Sequence, residues 1–397
     1  MSTAHERGWL AGIRVLDLSR VLAGPLCTML LADLGADVIK VERPGDGDDT
    51  RAWGPPFAGG ESAYYLSINR GKRGIAVNWQ HPEGLRIVRD LILEWADIVV
   101  DNARPGALER YGLDPEALRS EKPALIWGRI RGYPPGDDRP GYDFLIQAAS
   151  GLMSLTGPVD GEPYKVGVAL CDVMTGLFLA NGLQAALHER QAGGPGALVT
   201  VSLWDTQMAA LINVAQSHLL TGLPPGRYGN AHAQLSPYET FSAEDGPLAV
   251  GVGNTRQFRA LVTVLGIPET AADPRFADNR GRVAHRVELH SLLDVAFRKG
   301  PRAQWLAALN AAGVPASAIG TVPEAIAKSA ESGGLLTVQH PTAGPLLMLA
   351  PPLYDGDRRL GSNSAPPLLG EHTDEVLAEL GRTKADITAL RAAGAVG

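Results

Sequence analysis

The sequence has 397 residues, of which 45% are hydrophobic and 20% are charged, ordinary values for a globular protein that exclude a disordered chain. Its net charge of −7 offers no general attraction for nucleic acids or anionic membranes. The two cysteines, Cys27 and Cys171, exclude a disulfide scaffold and a cysteine-based zinc site. We therefore expect a cytoplasmic protein of roughly two or three domains, with no signal peptide at its N-terminus.

The first half alternates short β-branched runs with helical patterns, which predicts βαβ units and a mostly parallel, doubly wound sheet. The predicted helices are 24–34 and one that begins at Pro82, and the predicted strands are 13–18, 37–42, 74–79, 97–100 and 124–130. In such sheets ligands bind beyond the carboxyl ends of the strands. We therefore look for the functional site in the segments that follow these strands.

An apolar stretch over 166–187 is long enough to suggest a membrane span, but Asp172, Asn181 and Gln184 interrupt it. We interpret it as a buried strand over 166–171 followed by a core helix over 173–190. An extended segment over 197–203 and a helix over 205–220 come next. The breakers at 222–226 (GLPPG) then predict a domain boundary.

The chain beyond these breakers predicts a smaller α+β domain. A hairpin turns at Asp245-Gly246, between strands 238–242 and 248–252. Helical patterns follow over 255–265, 282–298 and 302–312. From about residue 335 the chain is extended and proline-rich, and it ends in two short helices predicted over 373–380 and 384–392.

The signatures of common catalytic sites are missing: there is no G-x-S-x-G, G-x-x-x-x-G-K-[ST] or H-E-x-x-H motif. We expect no metal site. Basic residues instead lie near the ends of the predicted strands, at Arg43, in the run Arg70–Arg73, and at Arg104 and Arg110. Arginines at this edge of a sheet can bind a phosphorylated ligand by bidentate hydrogen bonds. From spacing alone, they can equally be solvated surface charges.

Asp172 is a lone carboxylate between an apolar strand and an apolar helix in this interpretation. One role is an N-cap, because aspartate accepts backbone N–H groups of a first helical turn. The other is a nucleophile aimed into the cleft above the sheet, since a carboxylate with an ordinary pKa is ionised at neutral pH and needs no separate base. The pattern leaves both roles open.

Motifs along nearly the whole chain resemble those of the family III CoA-transferases, the CaiB/BaiF group of formyl-CoA transferase and carnitine CoA-transferase. They occur in the family's order and at similar spacing. The motifs are Gly12–Pro25 (GIRVLDLSRVLAGP), Leu34–Arg43 (LGADVIKVER), Asn69–Arg73 (NRGKR), Asn102–Arg110 (NARPGALER), the segment around Asp172, Gly229–His232 (GNAH) with Pro237–Phe241 (PYETF), and Pro367–Asp374 (PLLGEHTD).

The resemblance implies transfer of CoA from an acyl-CoA donor to a free carboxylic acid, with acyl-CoA as substrate and no tightly bound cofactor. Asp172 falls where the family carries its nucleophilic aspartate, which forms mixed-anhydride and aspartyl-CoA thioester intermediates. The resemblance also implies an interlocked, ring-shaped homodimer. Each chain has a large Rossmann-like α/β domain built from both termini (1–224 and 331–397) and a small α+β domain (225–330).

The family's CoA-contacting and substrate-contacting positions fall on a set of residues spread over the first half of the chain. They are Val21, Leu22, Arg43, Val77, Asn102, Ala103, Arg110, Tyr142 and Asp143. Leu22 replaces a glutamine of the formyl-CoA transferases, and their glycine-only loop is missing. These departures disfavour oxalate as the acceptor acid.

Two other functions remain open from the sequence. The α-methylacyl-CoA racemases share the fold, but they place a histidine where Tyr142 stands. A tyrosine is a poor acid/base at neutral pH because its ordinary pKa is near 10, so transfer is favoured over racemisation. The third alternative is a protein that binds CoA esters without turnover.

Overall fold

A computed structural model describes residues 8–397 of the chain. The expectation about a signal peptide concerns in part residues 1–7, which lie outside the described residues. The chain divides into two compact units: a larger one of residues 8–150, 167–210 and 329–397, and a smaller one of residues 151–166 and 211–328. Segments 151–166 and 211–224, which the sequence assigned to the large domain, thus belong to the smaller unit.

The larger unit is built on a six-stranded parallel sheet, so the predicted α/β class is confirmed. Its strand order is β3-β2-β1-β4-β5-β6, with every neighbouring pair parallel. This is the order of doubly wound dinucleotide-binding folds, in which the chain changes direction between β1 and β4. The strands are β1 (Arg14–Asp17), β2 (Asp37–Glu42), β3 (Lys72–Ala76), β4 (Ile98–Asp101), β5 (Ile126–Arg131) and β6 (Leu198–Ser202).

Sixteen α-helices occur within residues 8–397, and short 3₁₀ helices occupy Asp49–Ala52, Glu109–Tyr111, Pro268–Ala272 and Pro274–Phe276. The α-helices are α1 (Ala23–Asp33), α2 (Ala63–Ser67), α3 (Pro82–Asp90), α4 (Pro115–Glu121), α5 (Asp143–Ala149), α6 (Leu152–Leu155), α7 (Leu170–Gln191), α8 (Leu203–Ala210), α9 (Ile212–Thr221), α10 (Thr255–Val264), α11 (Asn279–Ala284), α12 (Arg286–Phe297), α13 (Arg302–Ala311), α14 (Val322–Glu331), α15 (Thr373–Glu379) and α16 (Lys384–Ala392).

Both faces of the parallel sheet are covered, which explains why its strands are apolar runs rather than alternating patterns. One face packs against α3, a following π-helical turn (Leu91–Trp95), and the C-terminal helices α15 and α16. The other face packs against α1 and α7. The chain end also joins the sheet: Asn78 donates to the carbonyl of Ala395 at 2.9 Å, and Gly397 donates to that of Ala76 at 2.9 Å.

Helix α7 begins at Leu170, so the strand predicted over 166–171 is wrong. A short apolar run does not distinguish a strand from the start of a buried helix, and this one lacks a partner strand among the described residues. By length and composition α7 could cross a membrane. It packs instead against α1 and the sheet, where Leu179 and Leu183 are buried, as the core interpretation expected.

The smaller unit has a three-stranded antiparallel sheet of β7 (Tyr238–Ala243), β8 (Gly246–Gly251) and β9 (Ala316–Ala318). The predicted hairpin at Asp245-Gly246 is confirmed. Helices α10, α12 and α13 cover this sheet. The helices predicted over 205–220 and 282–298 are each two helices, the first broken where Ile212 has a φ of +37°. A second hairpin, β10 (Leu335–His340) with β11 (Gly344–Leu349), belongs to the larger unit.

Replacing Gly176 by alanine should lower the stability of the larger unit. An added Cβ would lie 2.7 Å from the carbonyl oxygen of Ala23, a backbone atom that cannot rotate away, so α1 and α7 would have to separate. Overpacking of this kind costs about 1–3 kcal/mol, more than the gain of about 1 kcal/mol from the helix propensity of alanine. Thermal unfolding measures the change, and a midpoint at or above that of the parent would contradict the close approach.

Candidate active site

Two adjoining cavities lie beyond the carboxyl ends of β1 and β4, where the strand order reverses and ligands bind in doubly wound folds. The larger has a volume of about 520 Å³ and the smaller about 200 Å³. They share the side chains of Arg20, Asn102, Ala103 and Arg104. All the site residues predicted from the sequence line one or both cavities, although their individual roles stay predictions.

The larger cavity is open and basic. It is lined by the predicted residues Arg43, Val77 and Arg110, together with Asn102 and Ala103. Arg43 pairs with Asp49 and Asp46 at 3.2 and 3.7 Å. In contrast, the guanidinium groups of Arg104 and Arg110 form no ion pair within the described part of the chain. Two unpaired guanidinium groups on one cavity wall are suited to phosphate binding.

The smaller cavity contains Asp172 opposite the loop between β1 and α1. Asp172 is the third residue of α7, and its carboxylate accepts no hydrogen bond from residues 8–397. The capping acceptor of α7 is Asp143, whose Oδ1 accepts from the backbone N–H groups of Cys171 at 2.8 Å and Asp172 at 3.3 Å. The N-cap role considered for Asp172 is therefore wrong, and its oxygens face the cavity without a partner.

Burial and the neighbouring charge of Asp143 raise the pKa of Asp172 to about 7. This pKa is higher than that of the ordinary carboxyl expected from the sequence, so the protonated form of Asp172 is populated at neutral pH. Burial and the Asp172 and Asp143 charges also raise the pKa of Tyr64 to about 12. Burial and the charge of Asp143 raise that of Cys171 to about 12. At neutral pH, the tyrosine and the thiol are therefore neutral.

The basic run Arg70–Arg73 does not reach either cavity. Arg70 pairs with Asp33 at 2.5 Å, and Lys72 pairs with Asp17 at 3.0 Å, in both cases in the interior. Arg73 binds three carboxylates, one from β2 and two from α15. The prediction that this run binds a ligand, which spacing alone left open, is therefore wrong. Its charged groups form ion pairs with carboxylates of the fold itself.

Sequence reasoning also missed part of the cavity walls. Arg20 lies in both cavities, while Trp79 and Tyr111 line the larger one. Arg20 lies two residues after the predicted strand 13–18, so its position near the carboxyl end of this strand could have indicated it. No sequence pattern would have indicated that Val21 has a φ of +70°.

A model of CoA-transferase family III matches residues 10–373. The chain belongs to this family. It is 43% identical over 382 residues to succinate–glutarate CoA-transferase of Agrobacterium fabrum, covering 94% of this chain and 95% of that one. It is 41% identical over 376 residues to succinyl-CoA:glutarate CoA-transferase of Mus musculus, covering 94% and 86%. A crystal structure of a CaiB/BaiF family protein from Brucella suis superposes with a TM-score of 0.82 at 42% identity, covering 94% and 100%.

Membership of family III makes the chain a CoA-transferase that acts on CoA esters. Within residues 8–397, no group of three or more histidine, cysteine or acidic side chains is arranged to hold a metal ion. For this CoA-transferase, the open basic cavity next to the smaller cavity with its unpaired carboxylate offers room for the two ends of a long thioester substrate.

Proposed function

We propose that this CoA-transferase moves CoA from the CoA ester of a dicarboxylic acid to a second, free dicarboxylic acid, with Asp172 as the nucleophile. The observation that carries the proposal is the unpaired Asp172 carboxylate in the smaller cavity, beside an open basic cavity. The relatives named for succinyl-CoA and glutarate support dicarboxylic acids as donor and acceptor.

The proposed reaction has four steps, in which every bond broken is matched by one formed. The Asp172 carboxylate attacks the donor thioester carbonyl, forming a mixed anhydride and releasing CoA thiolate. The thiolate attacks the aspartyl carbonyl, forming an aspartyl-CoA thioester and releasing the donor acid. The acceptor carboxylate then attacks this thioester, giving a second anhydride and thiolate. Attack of the thiolate on the acceptor carbonyl forms the product CoA ester and restores Asp172.

The two cavities suggest how the CoA ester lies. Its nucleotide end would occupy the larger cavity, with phosphates on Arg104 and Arg110, and its thioester would reach the smaller cavity. Arg131 also lines the smaller cavity, and its side chain donates to the carbonyl of Ala103 but forms no ion pair with a described residue. A cation there can bind the second carboxylate of a dicarboxylic acid.

A panel of acyl-CoA donors and acids, read by mass spectrometry, tests the proposal. We expect exchange between succinyl-CoA and glutarate, and a CoA adduct on the peptide that carries Asp172 when donor is present without acceptor. Incubation with acyl-CoA in deuterium oxide is the control for racemisation, which would place deuterium at the α-carbon without any acceptor acid. Binding of CoA esters with neither exchange nor adduct would contradict the proposal.

The pH profile should reveal the raised pKa of Asp172. Because only the ionised carboxylate attacks, kcat/KM for the donor should rise with pH through about 7, with one proton lost. In Asp143→Asn the amide oxygen can still cap α7, but the repelling charge is gone, so this rise should move to lower pH. Initial rates from pH 5 to 9 measure it; an unmoved profile in Asp143→Asn would contradict this electrostatic coupling.

We also propose that the enzyme is a cytoplasmic homodimer, interlocked as in its family. Large apolar side chains exposed on two helices of the larger unit that pack together support an interface, because monomers rarely expose large contiguous apolar patches. They are Phe144 and Leu145 on α5 and Leu177 and Phe178 on α7. Light scattering at micromolar concentration should give twice the mass of the chain, and a monomer mass would contradict this proposal without affecting the proposed chemistry.

A further inference from the structure

The loop between β1 and α1 has a strained backbone at the candidate active site. Val21 has a φ of +70°, where a β-branched side chain clashes with its own backbone. Such strain persists only where surrounding groups enforce it, and it is concentrated at functional sites. Val21 and Leu22 line the smaller cavity with Asp172, so the conformation of Val21 determines part of the wall opposite the proposed nucleophile.

A buried ion pair holds this loop from the side of the sheet. The N–H of Val21 donates to both carboxylate oxygens of Asp48 at 3.3 Å. The Nζ atom of Lys40 donates to Asp48 Oδ2 and to the carbonyl of Ser19, each at 2.9 Å. Lys40 is 0% exposed and Asp48 is 1% exposed. The carboxylate is fixed further because the backbone and hydroxyl of Thr50 donate to its other oxygen.

Asn102 holds the same loop from another side. The N–H of Arg20 donates to Asn102 Oδ1 at 2.9 Å, and Asn102 Nδ2 donates to the carbonyl of Arg20 at 2.6 Å. The backbone of residues 19–21 is therefore hydrogen-bonded by three side chains. They are Lys40 of β2, Asp48 just before the first 3₁₀ helix, and Asn102 just after β4. Buried ion pairs seldom add net stability, so a role in fixing one local conformation accounts better for this one.

We propose that Asp48, held in place by Lys40, is a positioning residue for CoA transfer. It acts through the N–H of Val21: its carboxylate keeps the loop in the left-handed conformation, so that Val21 and Leu22 form the wall against which the thioester lies near Asp172. Asp48 lines only the larger cavity and not the smaller one that contains Asp172. This inference rests on the proposed function.

The test is a double-mutant cycle that combines Asp48→Asn with Val21→Gly. Asp48→Asn keeps the shape of the side chain but replaces one acceptor oxygen and removes the charge that faces Lys40. We expect kcat for CoA exchange to fall by about tenfold or more, and amide hydrogen exchange at Val21 to become faster. In a Val21→Gly background the same change should lower kcat by less than about threefold, because glycine adopts a positive φ without strain.

Asp33→Asn is the matched control, since Asp33 is also a buried carboxylate that accepts from a cation, Arg70, and from a backbone N–H, that of Ser362. It lines neither cavity, so it should lose stability but keep kcat. An equal loss of kcat from Asp48→Asn with and without Val21→Gly, or from Asp33→Asn, would overturn the positioning role. So would parental kcat in Asp48→Asn.

The inference and the proposed function can fail separately. If the parent enzyme transfers no CoA between any tested donor and acid, the proposed function fails. The hydrogen-exchange rate at Val21 then still decides the structural claim: faster exchange in Asp48→Asn but not in Asp33→Asn supports it, and unchanged exchange overturns it.

Discussion

Replacing Asp172 by alanine or by asparagine is expected to lower CoA exchange by about 10³-fold or more, because the proposed reaction has no route that avoids a covalent bond to this carboxylate. Asparagine keeps the shape of the side chain but is a far weaker nucleophile. The CoA adduct on the peptide that carries Asp172 should vanish with the activity. Exchange within about threefold of the parent in either variant would remove Asp172 as the nucleophile.

Stability measurements on the same variants separate loss of chemistry from loss of structure. The folded protein holds the Asp172 proton up to a pKa of about 7, whereas the unfolded chain releases it near 3.8. The folded state therefore binds more protons in this range, and the contribution of Asp172 to stability falls as pH rises. Relative to the parent, Asp172→Asn should become more stable between pH 5 and pH 8, as denaturant midpoints would show. A pH-independent difference would contradict the raised pKa.

Arg110→Ala is expected to raise KM for the acyl-CoA donor by about 10- to 100-fold, with a much smaller effect on kcat. A charge-assisted hydrogen bond to phosphate contributes about 1.5–3 kcal/mol, and Arg110 has no ion pair with a described residue that would compete for its guanidinium. Initial rates over a range of donor concentrations separate the two constants. The KM defect should shrink as salt rises, because added ions screen the charge in the parent.

Two comparisons make the Arg110 result specific. With an acyl-pantetheine donor, which lacks the nucleotide and its phosphates, Arg110→Ala and the parent should have the same KM. Arg259, an exposed arginine on α10 that likewise has no ion pair among the described residues, is the matched control, and Arg259→Ala should leave KM unchanged. An equal KM defect with both donors would show that Arg110 does not act on the phosphates.

The fold was largely readable from the sequence because the parallel strands are buried on both sides. The strand Asp37–Glu42, for example, has the bounds predicted for it, because the apolar pattern of its own six residues was sufficient to identify it. The start of α7 was not readable, because its capping group, Asp143, lies 29 residues before Asp172. The apolar run before Asp172 fits a strand equally well until that contact is known.

The sequence could predict site residues whose residue type alone defines their chemistry. It could not predict whether a charged residue is paired in the fold or free to bind a ligand, because that depends on tertiary contacts. Arg70 and Arg110 have the same side chain, and the sequence places both near predicted strand ends. Asp33 neutralises the first in the interior, while the second lines an open cavity and forms no ion pair with a described residue. Spacing carries no information about that difference. The raised pKa of Asp172 also depends on burial and on Asp143, neither of which the local sequence reveals.

The covering of one sheet face by α15 and α16 has a consequence for synthesis on the ribosome. The sheet strands are complete once residue 202 has emerged, but Val376 and Leu390 complete the core that contains Val77 only when the chain is almost finished. Residues 211–328, most of the smaller unit, are translated in between. At about 5–20 residues per second, the part of this face that α15 and α16 cover therefore stays exposed for many seconds, during which chaperones have access to it.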